Sequence, residues 1–306
     1  KNLMVGRRVV ILGSGDIGLI MARRLTLEGA TVLCVAEARP VPGGLERNVS
    51  QCLYDFGIPL YLSTTVTQIF GPKRVEGVEL CQVDARGQPR PETARRVDCD
   101  TLLLSVGLIP ENEVGSKAGM AVDPATNGAV TDDFLQTNLP GVFACGNSRK
   151  VMDLADFVTR QGDTAGGNAA RFVLGLPLEK MPPEQANAMA KGLPKPGIIT
   201  CIRCPKGCRV MLGADGKTEG NACPKGEEYA LQEAKAPKRV LTTTLKNAAG
   251  KLVPVKTSAG VPKETLLWCM DVVRGLPPIP EGLHCGKVAV SDPFGLGVDL
   301  VVTGDQ

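Results

Sequence analysis

Two groups of residues in this 306-residue chain have the types and the spacing for chemistry. The first is a Gly-x-Gly-x-x-Gly pattern at residues 13–18, which follows an apolar run at 9–12. In such a loop the first glycine permits a tight turn, the second lets the backbone approach a pyrophosphate, and the third lets helix and strand pack closely. The helix that follows presents free N–H groups to the anion. The candidate pyrophosphate-binding residues are Gly13, Gly15, Asp16, Ile17 and Gly18.

Glu37 belongs to the same group. A second apolar run at 31–36 ends at Glu37, nineteen residues after Gly18, where an acidic side chain would bind a ribose 2′-hydroxyl. A carboxylate repels a 2′-phosphate, so Glu37 favours NAD over NADP, whereas the nearby Arg39 weakens that preference. The alternative interpretation is a glycine-rich turn in some other α/β domain.

The second group consists of cysteines in the other half of the chain. Cys201, Cys204 and Cys208 form a C-x2-C-x3-C pattern, and Cys223 follows with fourteen residues between. Three clustered thiolates and one remote thiolate suit a [4Fe–4S] cluster, with one cysteine per iron. Structural zinc is the rival, although zinc sites usually combine C-x2-C with a second close pair; free thiols are the third possibility. Basic residues that would offset the thiolate charge are Lys195, Arg203, Lys206, Arg209 and Lys225.

Hydrophobic periodicity predicts the elements that must position these groups. For the first half of the chain it predicts a strand at 9–12, a helix at 17–28, strands at 31–36 and 58–62 around a helix at 46–56, antiparallel strands at 65–70 and 75–80, a strand at 81–84, a polar loop at 85–96 and a buried strand at 98–107. For the second half it predicts a short helix at 184–191, a hairpin at 209–218, a helix at 264–274 and strands at 288–290 and 298–302.

This order of elements resembles the NAD-binding domain of the two-dinucleotide-binding flavoproteins, the pyridine nucleotide–disulfide oxidoreductase superfamily. In that superfamily the NAD domain is inserted into a FAD domain, and the chain returns to FAD through a strand ending in Gly-Asp; residues 137–147 match this stretch. The resemblance implies that Gly146 and Asn147 lie near the flavin, with Asn in place of the usual Asp. The next helix would point its N-terminus at the flavin ring and stabilise the reduced anion. The remaining cofactor-binding candidates are Gly107, Asp153 and Phe157; Asp153 is equally well explained as an ordinary helix-start carboxylate.

Two features of that superfamily are missing. The FAD-binding module with its own glycine-rich loop should precede residue 1, so we expect a fragment or one piece of a split protein, with that module upstream or on another chain. The first half also contains no paired redox cysteines, because Cys34, Cys52, Cys81, Cys99 and Cys145 are isolated. Hydride transfer between nicotinamide and flavin remains, since the flavin supplies the chemistry.

Residues 198–306 carry a second resemblance. The cysteine spacing is similar to the iron–sulfur segment of molybdopterin-dependent oxidoreductases such as formate dehydrogenase. The stretch looks more closely like the small cysteine-motif domain found with flavoproteins next to anaerobic glycerol-3-phosphate dehydrogenases. This resemblance implies a dehydrogenase subunit as partner.

Composition restricts the remaining possibilities. The net charge of +3 is too small and dispersed to suggest nucleic acid, and no apolar run is long enough for a membrane span. Eleven cysteines without an export signal indicate a reducing cytoplasm. We predict an α/β fold, with a Rossmann-like NAD(P)-binding domain and antiparallel meander at 1–112, the C-terminal segment of a FAD-binding domain at 113–178, a linker at 179–197 and a small α+β cysteine-motif domain at 198–306.

Three functions are compatible with these predictions. In the first, electrons pass between NAD(P), FAD and a [4Fe–4S] cluster. In the second, the chain is a zinc-stabilised, non-catalytic adaptor or nucleotide-binding subunit of a dehydrogenase complex. In the third, it is part of a flavin disulfide reductase that acts on a partner's disulfide.

Overall fold

The computed structural model describes residues 4–152, 154–182 and 191–304. Contacts divide the chain into two compact units, one formed by Lys1–Val106 with Ala188–Gln306 and the other by Gly107–Asn187. The glycine-rich loop and the four cysteines therefore belong to the same unit. Asp153 and most of the helix predicted at 184–191 lie outside the described residues.

The first part of the chain forms the α/β fold predicted for it. In chain order its elements are β1 (Arg8–Leu12), α1 (Asp16–Leu27), β2 (Thr31–Ala36), α2 (Glu46–Cys52), β3 (Leu60–Tyr61), β4 (Thr64–Phe70), β5 (Gly77–Gln82), β6 (Arg95–Val97) and β7 (Thr101–Leu104). A parallel sheet has the order β3-β2-β1-β7. The runs of apolar residues in β1 and β2 are continuous because helices and a second sheet leave neither face of this sheet to water.

The second sheet corrects two predictions. It is antiparallel with the order β4-β5-β6, and the strand predicted at 81–84 is the end of β5. The loop predicted at 85–96 already contains the start of β6 at Arg95. Hydrophobic periodicity did not predict this strand because it contains arginines. Their guanidinium groups stack on aromatic rings: the guanidinium carbon of Arg95 lies 4.1 Å from the Tyr61 ring centre.

Three other elements are shorter than predicted. The helix at 46–56 ends at Cys52, and a separate turn of 3₁₀ helix, Tyr54–Phe56, follows it and ends at Gly57 in the left-handed conformation. The strand at 58–62 is reduced to β3, and that at 98–107 to β7.

The unit Gly107–Asn187 has little regular structure among its described residues. Its helices are α3 (Glu113–Lys117) and α4 (Ala155–Val173), and a 3₁₀ turn covers Gly146–Ser148. The strand expected before the Gly-Asn pair appears only as an isolated bridge between Gln136 and Phe143. No helix in the described residues is long and apolar enough to cross a bilayer.

Residues 199–302, which include the four-cysteine motif and are called the cysteine-containing part below, form a small α+β structure. Its elements are β8 (Ile199–Thr200), β9 (Arg209–Leu212), β10 (Thr218–Glu219), α5 (Pro224–Lys235), β11 (Lys238–Arg239), β12 (Thr242–Lys246), β13 (Leu252–Thr257), β14 (Val261–Pro262), α6 (Leu266–Gly275), β15 (Val288–Val290) and β16 (Leu300–Val302). Antiparallel sheets have the orders β10-β9-β8 and β12-β13-β16-β15, and β11 pairs with β14. The hairpin predicted at 209–218 and the helix predicted at 264–274 are confirmed.

The core of this part extends onto α1. Leu27, the last residue of α1, is buried with Leu241, Met270 and Val273 in one apolar cluster. An Arg274 guanidinium nitrogen also donates to the backbone carbonyl of Leu27. Burial of apolar side chains contributes about 1.5–3 kcal/mol each, so this shared core stabilises the packing of the cysteine-containing part on the Rossmann-like part.

Candidate functional site

The glycine-rich loop requires two of its glycines for its own packing. Gly13 has φ +97°, and a β-carbon there would lie 2.1 Å from the backbone oxygen of Ser105. A β-carbon on Gly18 would lie 2.7 Å from Ser105 Oγ and 2.8 Å from the Gly13 carbonyl oxygen. Gly15 differs, because the nearest atom to its β-carbon would be 3.6 Å away. The protein itself therefore leaves room at Gly15, which is the position where a pyrophosphate would approach the backbone.

The N-terminus of α1 is open. Its N-cap residue is Gly15, which provides no side-chain hydrogen bond to the first turn. Ile17, on that turn, is 71% exposed and so contributes nothing to the core. The backbone N–H groups at such a helix end carry partial positive charge and attract an anion.

Asp16 has a positioning contact. Its Oδ1 accepts hydrogen bonds from the Leu45 backbone nitrogen at 2.7 Å and from Asn48 Nδ2 at 2.8 Å. The carboxylate therefore holds the start of α2 against the glycine-rich loop. Whether Asp16 also contributes to nucleotide binding stays a prediction, as do the binding roles of the other candidates.

Glu37 lies at the end of β2 and is 6% exposed. Its Oε2 accepts from the backbone nitrogen and the hydroxyl of Ser14, and its Oε1 accepts from the backbone nitrogen and Nε of Arg39, both at 3.0 Å. Burial acts to raise the pKa of Glu37, but hydrogen bonds from Arg39 and Ser14 outweigh it and hold that pKa below its usual value. The carboxylate is thus ionised and engaged by the loop, whereas the Arg39 side chain is 61% exposed beside it.

The flavin-side candidates lie in the unit Gly107–Asn187. Gly107 and Gly146 both have positive φ, at +102° and +61°. The Gly146 backbone nitrogen donates to the buried Oε1 of Gln161 at 2.9 Å, and Asn147 Oδ1 accepts from the Met152 backbone nitrogen at 3.2 Å. Phe157, on α4, borders a cavity of about 260 Å³ together with Gln161.

Three cysteines of the motif lie on one loop, and the fourth lies at the start of a helix. Cys201 follows β8, Cys208 precedes β9, and the Cys201 backbone nitrogen donates to the Cys208 carbonyl oxygen at 2.8 Å. Cys223 is the N-cap residue of α5. Cys201 is buried and Cys208 half-buried, whereas Cys204 and Cys223 are exposed. We call residues 201–208 the thiol loop.

The charge state of Cys201 responds to the other three motif cysteines. Burial raises the pKa of Cys201, the backbone N–H of Arg203 lowers it, and the thiols of Cys208, Cys204 and Cys223 raise it further. Among the described residues, however, no three Cys, His, Asp or Glu side chains are arranged to hold a metal ion. The thiols share a neighbourhood without forming a preassembled cage, so the metal site stays a prediction.

A glutamate that the sequence did not single out anchors the thiol loop. Glu46, the first residue of α2, is fully buried. Its Oε1 accepts from Thr200 Oγ1 at 2.8 Å, and its Oε2 accepts from Arg209 Nε at 2.8 Å. Local sequence could not reveal this role, because an acidic residue in the first turn of a helix is ordinary.

A second ion cluster fixes α5 to the Rossmann-like part. Arg239 donates to Asp55 Oδ2 at 2.8 Å and to both oxygens of Glu233, at 2.6 and 2.7 Å. Lys263 Nζ lies 3.3 Å from Asp55 Oδ1 and 3.5 Å from Glu233 Oε1. The opposite charges are buried together, which offsets much of the cost of removing each from water.

Most of the other cysteines have no exposed thiol. Cys34, Cys52, Cys81, Cys99 and Cys269 are buried. Burial raises the pKa of both Cys34 and Cys52 to about 11, so these two stay protonated. Cys285 is exposed, and the Trp268 side chain is 48% exposed.

Comparison with protein families defines the class. A family model described as pyridine nucleotide-disulphide oxidoreductase matches residues 1–162, more than half of the chain. The chain therefore belongs to the pyridine nucleotide-disulphide oxidoreductase family. A second model, described as a protein of unknown function (DUF1667), matches residues 224–304, beginning directly after Cys223.

Individual relatives match part of the chain. An NADH oxidase of Methanocaldococcus jannaschii is 30% identical over 54% of this chain and 37% of that protein. A nitric oxide reductase FlRd-NAD(+) reductase of Aeromonas salmonicida is 29% identical over 74% of this chain and 50% of that protein. The chain thus spans half or less of these relatives. The crystal structure of Lactococcus lactis thioredoxin reductase is similar with a TM-score of 0.49 and 23% identity, over 56% of this chain and 54% of that one.

Proposed function

We propose that this chain carries the nicotinamide-binding part of an FAD-dependent NAD(P)H oxidoreductase that exchanges electrons with a metal centre on its own thiol loop. The observation that carries the proposal is that the glycine-rich loop and the thiol loop belong to one compact unit. A nicotinamide delivers two electrons as hydride, an iron–sulfur cluster takes one at a time, and a flavin exchanges electrons in both ways.

The residues of this chain have separate roles in the proposal. The open N-terminus of α1 and Gly15 hold the pyrophosphate, and the end of β2 receives the adenosine ribose. Glu37 has both oxygens engaged by Ser14 and Arg39, so it orders the loop at that end. The exposed Arg39 can meet a 2′-phosphate, and both NAD and NADP are compatible with this end of the site.

The thiol loop and Cys223, at the start of α5, supply the donors for the metal. Cys201, Cys204, Cys208 and Cys223 would bind a [4Fe–4S] cluster after a local rearrangement that brings their sulfur atoms together. Four sulfur donors, three of them closely spaced in sequence, suit such a cluster. The partner, from the resemblance of residues 198–306, is a dehydrogenase subunit such as an anaerobic glycerol-3-phosphate dehydrogenase. The FAD-binding module that completes the flavin site would lie upstream or on another chain.

Metal and flavin analysis under anaerobic conditions tests this proposal. We expect iron and acid-labile sulfide in the purified chain, lost in a Cys204→Ser variant and retained in Cys285→Ser, the matched exposed control. With the FAD-binding module present, we also expect NADH to bleach the flavin absorbance. Protein without iron and sulfide would contradict the cluster, and flavin unaffected by NADH and by NADPH would contradict the oxidoreductase.

Zinc is the alternative with a specific observation in its favour. The second part of the chain is already folded onto the first through a shared core and two ion clusters, which suits a structural metal in an adaptor. One zinc and no iron per chain, without NADH-dependent dye reduction, would support this alternative.

A flavin reductase of a partner's disulfide is the third candidate, and Cys204 and Cys223 are exposed thiols that such a disulfide could reach. For this candidate, NADH treatment of the complete flavoprotein together with its disulfide-containing partner should yield two more thiols for each partner disulfide that is reduced. An unchanged thiol count would exclude it.

A further inference from the structure

Helix α2 connects the glycine-rich loop to the thiol loop. On one side, the backbone nitrogen of Gly43 donates to Ser14 Oγ and that of Gly44 to the Ser14 carbonyl oxygen, both at 2.8 Å. The next nitrogen, that of Leu45, donates to Asp16. Three consecutive residues before α2 are therefore hydrogen-bonded to the loop that would hold the pyrophosphate.

The same helix holds the thiol loop from its other side. The Glu46 carboxylate accepts from Thr200, the residue before Cys201, and from Arg209, the residue after Cys208. These two donors also pair directly in the β8–β9 ladder. One buried carboxylate thus joins both ends of the thiol loop to the first turn of α2.

Arg47 adds a weaker contact within the loop. Its Nη1 donates to the carbonyl oxygen of Ile202 at 3.3 Å, between Cys201 and Cys204. Its Nε is buried and has no hydrogen-bond partner among the described residues. A buried donor without a partner is unfavourable, so the position of this segment is less strongly held than that of the loop ends at Glu46.

We infer that Glu46 is a positioning residue that couples nucleotide binding to the conformation of the thiol loop. Nucleotide bound at the glycine-rich loop orders residues 43–45, and α2 transmits that order through Glu46 to Thr200 and Arg209. The inference rests on the proposed nucleotide site but not on the proposed metal. An energetic link of this kind works in both directions, so metal or alkylating agent at the thiol loop also alters nucleotide affinity.

Alkylation of Cys204 tests the inference. The metal-free, reduced full chain is treated with iodoacetamide, with and without NAD⁺, and the rate at Cys204 is measured by peptide mass spectrometry. NAD⁺ carries no hydride, so any effect comes from binding. We expect saturating NAD⁺ to slow alkylation about fivefold or more, the lower range of measured couplings between sites.

Glu46→Gln should abolish this effect while NAD⁺ still binds by calorimetry. The amide is uncharged and has a single acceptor oxygen, so it cannot accept from both Arg209 and Thr200. Glu76→Gln, an exposed glutamate on the same unit, is the matched control and should keep the effect. Arg209→Lys should restore part of the effect that Arg209→Leu removes, which a purely structural loss would not show. If Glu46→Gln does not fold, Thr200→Val removes one hydrogen bond with little change in shape and should reduce the effect.

Two results would overturn the inference. One is an alkylation rate in the wild-type chain that NAD⁺ leaves unchanged, and the other is an NAD⁺ effect of full size in the Glu46 or Thr200 variant. Iron and sulfide content do not enter either result. A chain without a cluster can therefore still show the coupling, and a cluster-containing chain can lack it.

Discussion

Replacing Arg239 by methionine tests how the cysteine-containing part is held on the Rossmann-like part. The Arg239 side chain is 9% exposed and lies between the carboxylates of Asp55 and Glu233, which are 6% and 17% exposed. Methionine keeps much of the length and the apolar stem but removes the charge and three hydrogen bonds to carboxylates. Two buried carboxylates then remain with one cation fewer.

The magnitude follows from the burial of these groups. Removing one partner of a buried ion pair costs about 3–5 kcal/mol. Lys263 remains near both carboxylates, at 3.3 and 3.5 Å, and its side chain is 32% exposed. Because this lysine compensates part of the lost charge, we expect the free energy of unfolding to fall by an amount at the lower end of this range, about 3 kcal/mol. For a unit of this size that corresponds to a decrease in Tm of about 6–12 °C.

Urea and thermal unfolding, followed by far-UV circular dichroism, measure this decrease. Arg86→Met is the matched control, because Arg86 is exposed and its side chain has no hydrogen bond to the residues that the structure describes. The triple variant Arg239→Met, Asp55→Asn, Glu233→Gln should recover part of the lost stability, since it also removes the uncompensated charges. A loss below about 1 kcal/mol, the range of surface ion pairs, or no recovery in the triple variant would refute this reasoning.

Three further predictions concern backbone strain, pH and thiol reactivity. Gly13→Ala should prevent the glycine-rich loop from forming, because φ is +97° and the Ser105 carbonyl oxygen would lie 2.1 Å from the new β-carbon. We expect loss of NAD⁺ binding, measured by calorimetry. In the control Gly87→Ala, where φ is +78° but the space is open, the free energy of unfolding should fall by only about 1–2 kcal/mol. Burial acts to raise the pKa of Glu233, but hydrogen bonds from Arg239 outweigh burial and lower that pKa. The ionised Glu233 therefore stabilises the fold at pH values above its unfolded pKa near 4.5, and this stabilisation is lost as the pH falls through the lower folded pKa. Urea midpoints between about pH 6 and 3 should therefore fall less steeply in Arg239→Met than in wild type. Iodoacetamide at about pH 8 should label Cys204 but not Cys52, whose pKa is about 11; rapid labelling of Cys52 in folded protein would contradict its burial.

The local features of the candidate nucleotide site could be predicted from the sequence. The glycine spacing, the apolar strands on either side and the position of Glu37 depend on backbone geometry over a few tens of residues, and each element lies where the pattern indicated. Hydrophobic periodicity likewise predicted the hairpin at 209–218, and the structure contains that hairpin. Periodicity failed at β6, where arginines lie on aromatic rings, and it overextended the helix that ends at Cys52.

What the sequence determined by itself was the set of local motifs, because the conformations they require are set by residue size, φ and apolar alternation. Only the tertiary structure decided that Lys1–Val106 and Ala188–Gln306 form one unit, and which buried charges join these two segments. Glu46 and Thr200 are 154 residues apart, Glu46 and Arg209 are 163 apart, and Asp55 and Arg239 are 184 apart. The neighbouring sequence does not indicate whether a carboxylate at a helix start will be buried. Its ion-pair partner is determined only when distant elements pack together and remove both groups from water.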